Sequence, residues 1–280
     1  MKKLTAILLS AAMIFALCAC GSKIDDAAKE TAEPEAEQIT LNVFAAASMT
    51  ETLDKIIEQY KSVAPNVTIV PTYDSSGTLK TQIQEGAQCD LFISAAQKQM
   101  NQLDAAKDKD GGNEEGLDFV ISDTRVNLLE NKVVLAVPDN NPKDIQKFSD
   151  LGTDKLSLLC IGNEDVPVGA YSLEILQNLG ILDSLENSGK LTYGSNVKEV
   201  TSQVKEGTVD AGIIYATDAY SAQLTVVDKA GSDLCRQVIY PAAVMKTTTN
   251  EQAARDFLAY LQSDDAMQVF ESVGFAPVSK

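Results

Sequence analysis

Short apolar segments alternate with segments of helical periodicity along the chain from residue 39 onward. Apolar runs predict strands near residues 41–44, 67–70, 89–94, 133–137, 156–161, 191–193, 211–214 and 238–245. Apolar residues at helical spacing predict helices at 50–60, 79–85, 95–106, 170–179, 197–206, from 217, at 252–261 and at 266–273. Because strands and helices alternate, the predicted fold class is α/β, with mostly parallel sheets flanked by helices.

Two of the predicted strands are placed to carry the chain between two such sheets. The run 133–137 is apolar throughout, as expected for a strand that is covered on both faces, and 238–245 is the last predicted strand. The predicted division is one lobe from residues 39–131 plus 242–280 and a second lobe from residues 132–241. Ligands of α/β sheets bind outside the carboxyl ends of the strands, so we expect the ligand in the cleft between the lobes.

The first 20 residues have the composition of an export signal. Two lysines precede an apolar stretch over residues 4–17, which is too short to span a membrane as a mature helix. The run LCAC resembles a bacterial lipobox, which implies a lipid on Cys20 and attachment to the outer side of the cytoplasmic membrane. Secretion with cleavage after a small residue is the alternative. Residues 21–38 lack aromatic side chains and predict a disordered tether.

The charge balance and the absence of histidine exclude several classes of function. The formal net charge is −17, from 40 acidic and 23 basic residues. A protein with this charge is a poor partner for nucleic acid or for an anionic membrane surface. Because the chain contains no histidine, it has no histidine-ligated zinc or copper and no histidine-based catalytic triad.

Two further features could indicate sites, and each has a simpler interpretation. The insertion over residues 107–116 is rich in carboxylates but lacks the ordered DxDxDG spacing of a calcium loop, so a solvated surface loop is expected. Cys89, Cys160 and Cys235 show no CxxC spacing, and we expect buried free thiols. A disulfide between Cys160 and Cys235 is the alternative, since an exported protein can form disulfides.

One local arrangement occurs four times: a strand end is followed at once by the start of a helix. Ser48, Ser76, Val168 and Val197 stand at or just before these helix starts. The first N–H groups of a helix have no partner within it, and the terminus carries roughly half a positive charge. Four such termini could hold a dianion without lysine or arginine. Taken singly, each serine could be an ordinary helix cap or turn hydroxyl, and each valine could simply pack.

Five motifs follow one another between residues 39 and 280: VFAAASMTETL, YDSSGTLKTQIQEGAQCDLFISA, NEDVPVGAYSLEILQNLG, SNVKEV and AGIIYATDA. Together they resemble the molybdate-binding proteins of ABC importers. The resemblance implies an exported, two-lobed fold of the periplasmic binding protein type II class, with an ABC permease as partner. It also implies a protein that is not an enzyme and needs no cofactor. A monomer is expected.

The resemblance also implies which residues contact the oxyanion. These are the hydroxyl and backbone groups of Ser48 and Ser76, the backbone N–H groups of Val168 and Val197, and the hydroxyl of Tyr215. No protein atom is expected to bind the metal directly. Taken alone, Tyr215 could be a core aromatic residue with a satisfied hydroxyl. The chain departs from the family at Gly77, where many relatives have serine, and at Asp74, whose carboxylate we expect to point away because it would repel a dianion.

Other functions compete with molybdate binding. Tungstate has nearly the same size and charge, and sulfate is a smaller tetrahedral dianion. Phosphate is less favoured because it retains a proton at neutral pH, and a pocket of donors offers that proton no acceptor. A secreted serine hydrolase would use Ser48 or Ser76 with Lys80 as its base, but the chain has neither GxSxG nor a P-loop motif. A helix starting at Ser76 would carry Lys80 away from the corner.

Overall fold

The computed structural model describes residues 37–278. The predicted signal segment over residues 1–20, the lipid on Cys20 and all but the end of the predicted tether lie outside the described residues. Within the described part of the chain, no helix is long and apolar enough to cross a membrane.

The described residues form alternating strands and helices, as the sequence predicts. In chain order these elements are β1 Ile39–Ala46, α1 Thr50–Tyr60, β2 Val67–Asp74, α2 Ser76–Gln84, β3 Leu91–Ile93, α3 Gln97–Leu103, β4 Val126–Asn131, β5 Val133–Val137, β6 Leu159–Gly162, α4 Pro167–Asn178, α5 Leu182–Asn187, β7 Leu191–Gly194, α6 Val197–Lys205, β8 Ala211–Tyr215, α7 Ala216–Ala222, β9 Thr225–Lys229, β10 Val238–Val244, α8 Glu251–Tyr260, α9 Asp264–Glu271 and β11 Ala276–Pro277. Short 3-10 turns lie at Ala47–Met49, Ser122–Thr124 and Phe148–Gly152.

The strands form two sheets, and the predicted α/β class is confirmed. The first sheet has the order β11-β4-β10-β3-β1-β2, and the second has the order β7-β6-β8-β5-β9. Strand β1 runs parallel to β2 and β3, and β6 runs parallel to β7 and β8. Strands β5 and β10, each the first strand after a crossing between the sheets, pair antiparallel with their neighbours, so both sheets are mixed and not mostly parallel as predicted.

The chain passes between the sheets at two places. Lys132 joins β4 of the first sheet to β5 of the second. The return falls between Lys229, at the end of β9, and Val238, at the start of β10. Residues 238–241, which the predicted division places in the second lobe, therefore pair in the first sheet, because β10 lies between β3 and β4. Helix α8 then packs on β10 and β1, and α9 packs on α1.

Two prolines lie inside strands rather than ending them. The strand predicted near residues 67–70 stops before Pro71, but β2 continues through Pro71 to Asp74. This is possible because β2 is an edge strand, where proline's missing N–H leaves no partner strand unpaired. Pro241 likewise lies within β10, whose pairing with β4 shifts register between Tyr240 and Pro241. A β-bulge interrupts the pairing at the proline, so the strand tolerates it, and the bulge changes the direction of the neighbouring side chain.

Four elements, β4, β9, α5 and the two-residue β11, escaped the sequence prediction because their local signals are weak. Strand β4 ends in the buried polar residues Glu130 and Asn131, which interrupt its apolar pattern. Strand β9 is an edge strand with mostly exposed or half-buried side chains. Helix α5 spans six residues only, which is too short for a clear helical period.

The interior confirms two expectations about burial. Every residue of β5 is buried, as expected for a strand covered on both faces. Cys89, Cys160 and Cys235 are buried free thiols. Burial raises the pKa of Cys160 to about 12 and that of Cys235 to about 11, so both stay protonated and unreactive at neutral pH.

The polar insertion over residues 107–116 contains no helix or strand, and one of its side chains anchors it. Asn113 is buried, and its Nδ2 donates to the carbonyl oxygens of Asp104 and Leu117 at 3.0 and 2.9 Å. Among the described residues there is no group of three or more His, Cys, Asp or Glu side chains that could hold a metal ion.

Candidate functional site

A small cavity lies where strand ends of both sheets meet the starts of helices. Its volume is about 10 Å³. This is far too small for an organic ligand, since organic ligands need pockets of roughly 300–1,000 Å³. Its lining in the described chain contains no lysine or arginine and consists of Ala46, Ala47, Ser48, Asp74, Ser75, Ser76, Ala95, Val166, Pro167, Val197 and Tyr215.

The first wall of the cavity is the turn between β1 and α1. Small alanines at the end of β1 leave space there, and Ser48 follows in a buried 3-10 turn. The N-cap of α1 is Met49, and no side chain caps this helix, so Ser48 is not an ordinary helix cap. Its Oγ instead lies 2.8 Å from the hydroxyl oxygen of Tyr240.

The second wall is the turn between β2 and α2. Ser75 is the N-cap of α2, because its side chain accepts a hydrogen bond from the N–H of Thr78. Ser76 is therefore free of the capping role, and it is fully buried. Its Oγ accepts a hydrogen bond of 2.9 Å from the N–H of Ala95, at the end of β3. The Ser76 hydroxyl proton is then available to a ligand.

The third and fourth walls belong to the second sheet. Helix α4 begins with Pro167, and Val166 and Pro167 line the cavity. Val168 is fully buried one residue further along and does not line it. Helix α6 begins at Val197, as the sequence predicts, and Val197 lines the cavity. Both helix starts bring the positive end of a helix dipole to the same small space.

Tyr215 closes the cavity at the end of β8. Its hydroxyl is buried and has no hydrogen-bond partner within the described residues. Burial raises its pKa well above the usual value, so the hydroxyl stays protonated and can donate. The rings of Tyr171 and Tyr240 pack on it edge to face, with centroids at 6.5 and 5.8 Å. A buried donor without a partner is costly, and a bound acceptor would remove that cost.

Asp74 is part of the cavity lining, and its carboxylate is hydrogen-bonded to residues on both sides of the cavity. It is among the lining residues, because β2 continues to it before the turn. Its Oδ1 accepts a hydrogen bond of 2.7 Å from the N–H of Ser75 and one of 3.4 Å from Nδ2 of Asn196. This carboxylate oxygen therefore links the start of α2 to the start of α6.

Other contacts that the sequence did not reveal also connect the two sides of the cavity. The N–H of Gly77 donates to the carbonyl oxygen of Asp165 at 3.0 Å, and an added Cβ at Gly77 would lie 2.3 Å from that oxygen. Lys198 of α6 lies 2.7 Å from Glu51 of α1. These residues lie far apart in sequence, and no local pattern marks them as partners.

Asp218, in the first turn of α7, is a buried carboxylate with an ion-pair partner but no hydrogen bond in the described part of the chain. Its Oδ1 lies 3.3 Å from Nζ of Lys198, but neither carboxylate oxygen has a hydrogen-bond partner within the described residues. Burial raises the pKa of Asp218 to about 6, although Lys198 opposes the shift. Between its unfolded value of 3.8 and about 6, the folded protein binds more protons here than the unfolded chain. The Asp218 contribution to stability therefore falls as the pH rises through this range.

Asp218→Asn should show this effect directly. Relative to wild type, we expect its free energy of unfolding to gain about 2 kcal/mol between pH 4 and pH 7, because most of a shift of about 2 pKa units, at 1.36 kcal/mol each, is expressed in this range. Denaturant unfolding at both pH values measures the difference. The exposed Asp154→Asn is the control and should show no such gain. A gap between Asp218→Asn and wild type that stays constant with pH would contradict the assignment.

The arrangement suits binding of a small dianion and offers no catalytic machinery. The cavity is surrounded by uncharged groups that can donate hydrogen bonds. These are the backbone N–H groups of the helix starts and the hydroxyls of Ser48, Ser76 and Tyr215. Lys80, the only base considered for a serine nucleophile, lines a different surface depression together with Lys98 and Glu114. Neither serine therefore has the adjacent base that nucleophilic catalysis requires.

The chain is similar to known proteins over nearly all of its described length. Residues 41–276 match the family described as bacterial extracellular solute-binding protein. A Bacillus subtilis protein, provisionally named an ABC transporter substrate-binding lipoprotein, is 37% identical over 95% of each chain. The molybdate-binding protein ModA of Haemophilus influenzae is 34% identical over 84% of this chain and 89% of its own. The fold matches the periplasmic molybdate-binding protein of Azotobacter vinelandii with a TM-score of 0.73 at 22% identity, over 85% of this chain and 100% of that one.

Proposed function

We propose, from the premise that this chain belongs to the family of bacterial extracellular solute-binding proteins, that it captures molybdate and delivers it to an ABC permease. The protein is a binding component of an importer and not an enzyme. One observation carries the choice of ligand: Ser76 Oγ already accepts a hydrogen bond from the Ala95 N–H, and the buried Tyr215 hydroxyl has no hydrogen-bond partner within the described residues, so both hydroxyl protons remain for a ligand. The named molybdate-binding relatives support the same choice.

A ligand with oxygens on all sides matches this set of donors. Molybdate is a fully ionised dianion at neutral pH and presents acceptors in every direction. Fixed N–H and O–H dipoles would replace its hydration shell without a cationic side chain. Phosphate would bring a proton, and Asp74 is the one carboxylate residue in the described cavity lining; its Oδ1 already accepts from Ser75 and Asn196, which leaves only Oδ2 for that proton. Tungstate should bind as molybdate does, whereas the smaller sulfate should leave some donors out of reach.

Calorimetric titration of the mature protein with molybdate, tungstate, sulfate and phosphate tests this function. We expect comparable affinities for molybdate and tungstate, and far weaker binding of sulfate and phosphate. Tight molybdate binding should also raise the melting temperature. A molybdate concentration of 1,000 times the dissociation constant adds about 4 kcal/mol to the free energy of unfolding. Sulfate binding as tightly as molybdate would contradict the proposed selectivity, and no binding of any oxyanion would refute the proposal.

The mature protein is proposed to be a lipoprotein held on the outer side of the membrane by Cys20. The LCAC run and the provisional lipoprotein name of the Bacillus subtilis relative support this. Cys20→Ala should release the protein or leave the precursor uncleaved, because residue 20 then has no thiol to carry the lipid. Lipid labelling and membrane fractionation measure the result. Cys18→Ala is the matched control and should keep the label, and a Cys20→Ala protein that is still labelled and membrane-bound would refute the anchor.

A further inference from the structure

The hydrogen bond between Ser48 and Tyr240 has two possible directions. The two hydroxyl oxygens lie 2.8 Å apart in a buried setting, and either could donate. If Ser48 donates to Tyr240, its proton is lost to the ligand. If Tyr240 donates, the Ser48 proton is free for the cavity. The direction therefore decides whether Ser48 acts as a donor, and the neighbours of Tyr240 determine it.

Asn131 supplies the missing information. The N–H of Lys132 donates to Oδ1 of Asn131 at 2.8 Å, which fixes the orientation of the side-chain amide. Its Nδ2 then faces Thr217 Oγ1 at 2.9 Å and the Tyr240 oxygen at 3.2 Å. The Tyr240 oxygen thus receives a hydrogen bond from an N–H group, which can only donate. Its own proton is left to be donated, and Ser48 Oγ is the acceptor within reach.

We infer that Tyr240 is a positioning residue, which donates to Ser48 Oγ and so directs the Ser48 hydroxyl proton to the ligand. This inference rests on the proposed function, because it concerns the donor set of the same cavity. Tyr240 itself does not line the cavity. The role parallels that of the Ala95 N–H, which donates to Ser76 Oγ and leaves the Ser76 proton free. Each serine oxygen has its acceptor position occupied by the protein.

The fold holds Tyr240 firmly in this position. It is fully buried and stands at the register shift of β10, where the bulge sets the direction of its side chain. Its ring packs edge to face on Tyr215 and Phe275, with centroids at 5.8 and 5.3 Å. Burial also raises the pKa of Tyr240 well above its usual value, so the hydroxyl keeps the proton that it donates.

A double-mutant cycle on the full chain tests the inference, with molybdate as the probe. Tyr240→Phe should weaken molybdate binding about three- to tenfold, the loss expected for one neutral hydrogen bond. In the Ser48→Ala background the same change should cost less than twofold, because Tyr240 acts only through Ser48. Tyr60→Phe removes another buried phenol, one at the end of α1 that packs on Phe257 of α8, and should leave affinity unchanged. Thermal melting of the ligand-free variants reports any purely structural effect.

The possible outcomes separate the two proposals. Unchanged affinity of Tyr240→Phe, or an equal loss with and without the Ser48 hydroxyl, overturns the positioning role alone. A wild type that binds no oxyanion overturns the proposed function and the positioning role with it. If Tyr240→Phe does not fold, Asn131→Ala replaces it. This variant removes the donor that sets the direction, and the same loss and the same dependence on Ser48 are expected.

Discussion

Replacing both Ser48 and Ser76 by alanine is expected to weaken molybdate binding by about 10² to 10⁴. A hydrogen bond to a charged group contributes about 1.5–3 kcal/mol, and the change removes one from each of two walls of the cavity. Ser76→Ala also leaves the N–H of Ala95 without its acceptor in a fully buried place, so it should lower stability as well. Calorimetric titration gives the affinities, and melting of the ligand-free protein gives the stability effect.

Two control variants make this prediction specific. Ser172→Ala removes another fully buried serine hydroxyl, which donates within α4 to the carbonyl oxygen of Val168 and does not line the cavity. It should leave affinity within about threefold of wild type, since it could affect the cavity only through a small shift of α4. Lys80→Ala removes a nearby positive charge and should have only a small, salt-dependent effect. A larger loss for Lys80→Ala than for the serine pair would contradict a site made of neutral donors.

Gly77→Ala is expected to weaken molybdate binding by at least about a hundredfold. A Cβ at this position would lie 2.3 Å from the carbonyl oxygen of Asp165 and 2.8 Å from its Cα, and these backbone atoms cannot move alone. The start of α2 and the segment before α4 would have to separate, which also breaks the hydrogen bond between Gly77 and Asp165. The donors of the first and second sheets would then no longer meet around one ion.

Affinity and shape together test the Gly77 prediction. Calorimetry should show the loss, and small-angle scattering with molybdate should show compaction of the wild type but less of it in Gly77→Ala. Gly111→Ala is the control, because its added Cβ would meet mainly the flexible side chain of Lys107, at 3.2 Å. Wild-type affinity in Gly77→Ala would contradict this prediction, because it would mean that the two backbone segments separate without cost to the site.

Local sequence patterns determined the α/β class and the positions where helices start. The period of apolar residues and the small residues at strand ends act over a few neighbours, so they can be recognised without the fold. Helix α6 begins at Val197 and β5 is buried throughout, both as predicted. Ser48, Ser76, Val197 and Tyr215 were predicted as site residues, and all four line one cavity. Val168 lies one residue beyond the lining, because Val166 and Pro167 form the wall there.

Tertiary structure alone decided which groups complete the site. Tyr240 meets Ser48 across 192 residues, and Asn131 meets Tyr240 across 109. Such contacts depend on the strand order β11-β4-β10-β3-β1-β2, which places β10 between β3 and β4. Strand order follows from the packing of whole sheets, and the residues next to Tyr240 in the chain carry no sign of it. For the same reason the approach of Gly77 to Asp165 emerges only when both sheets are assembled, and the contact of Asp218 with Lys198 emerges only when α7 packs against α6.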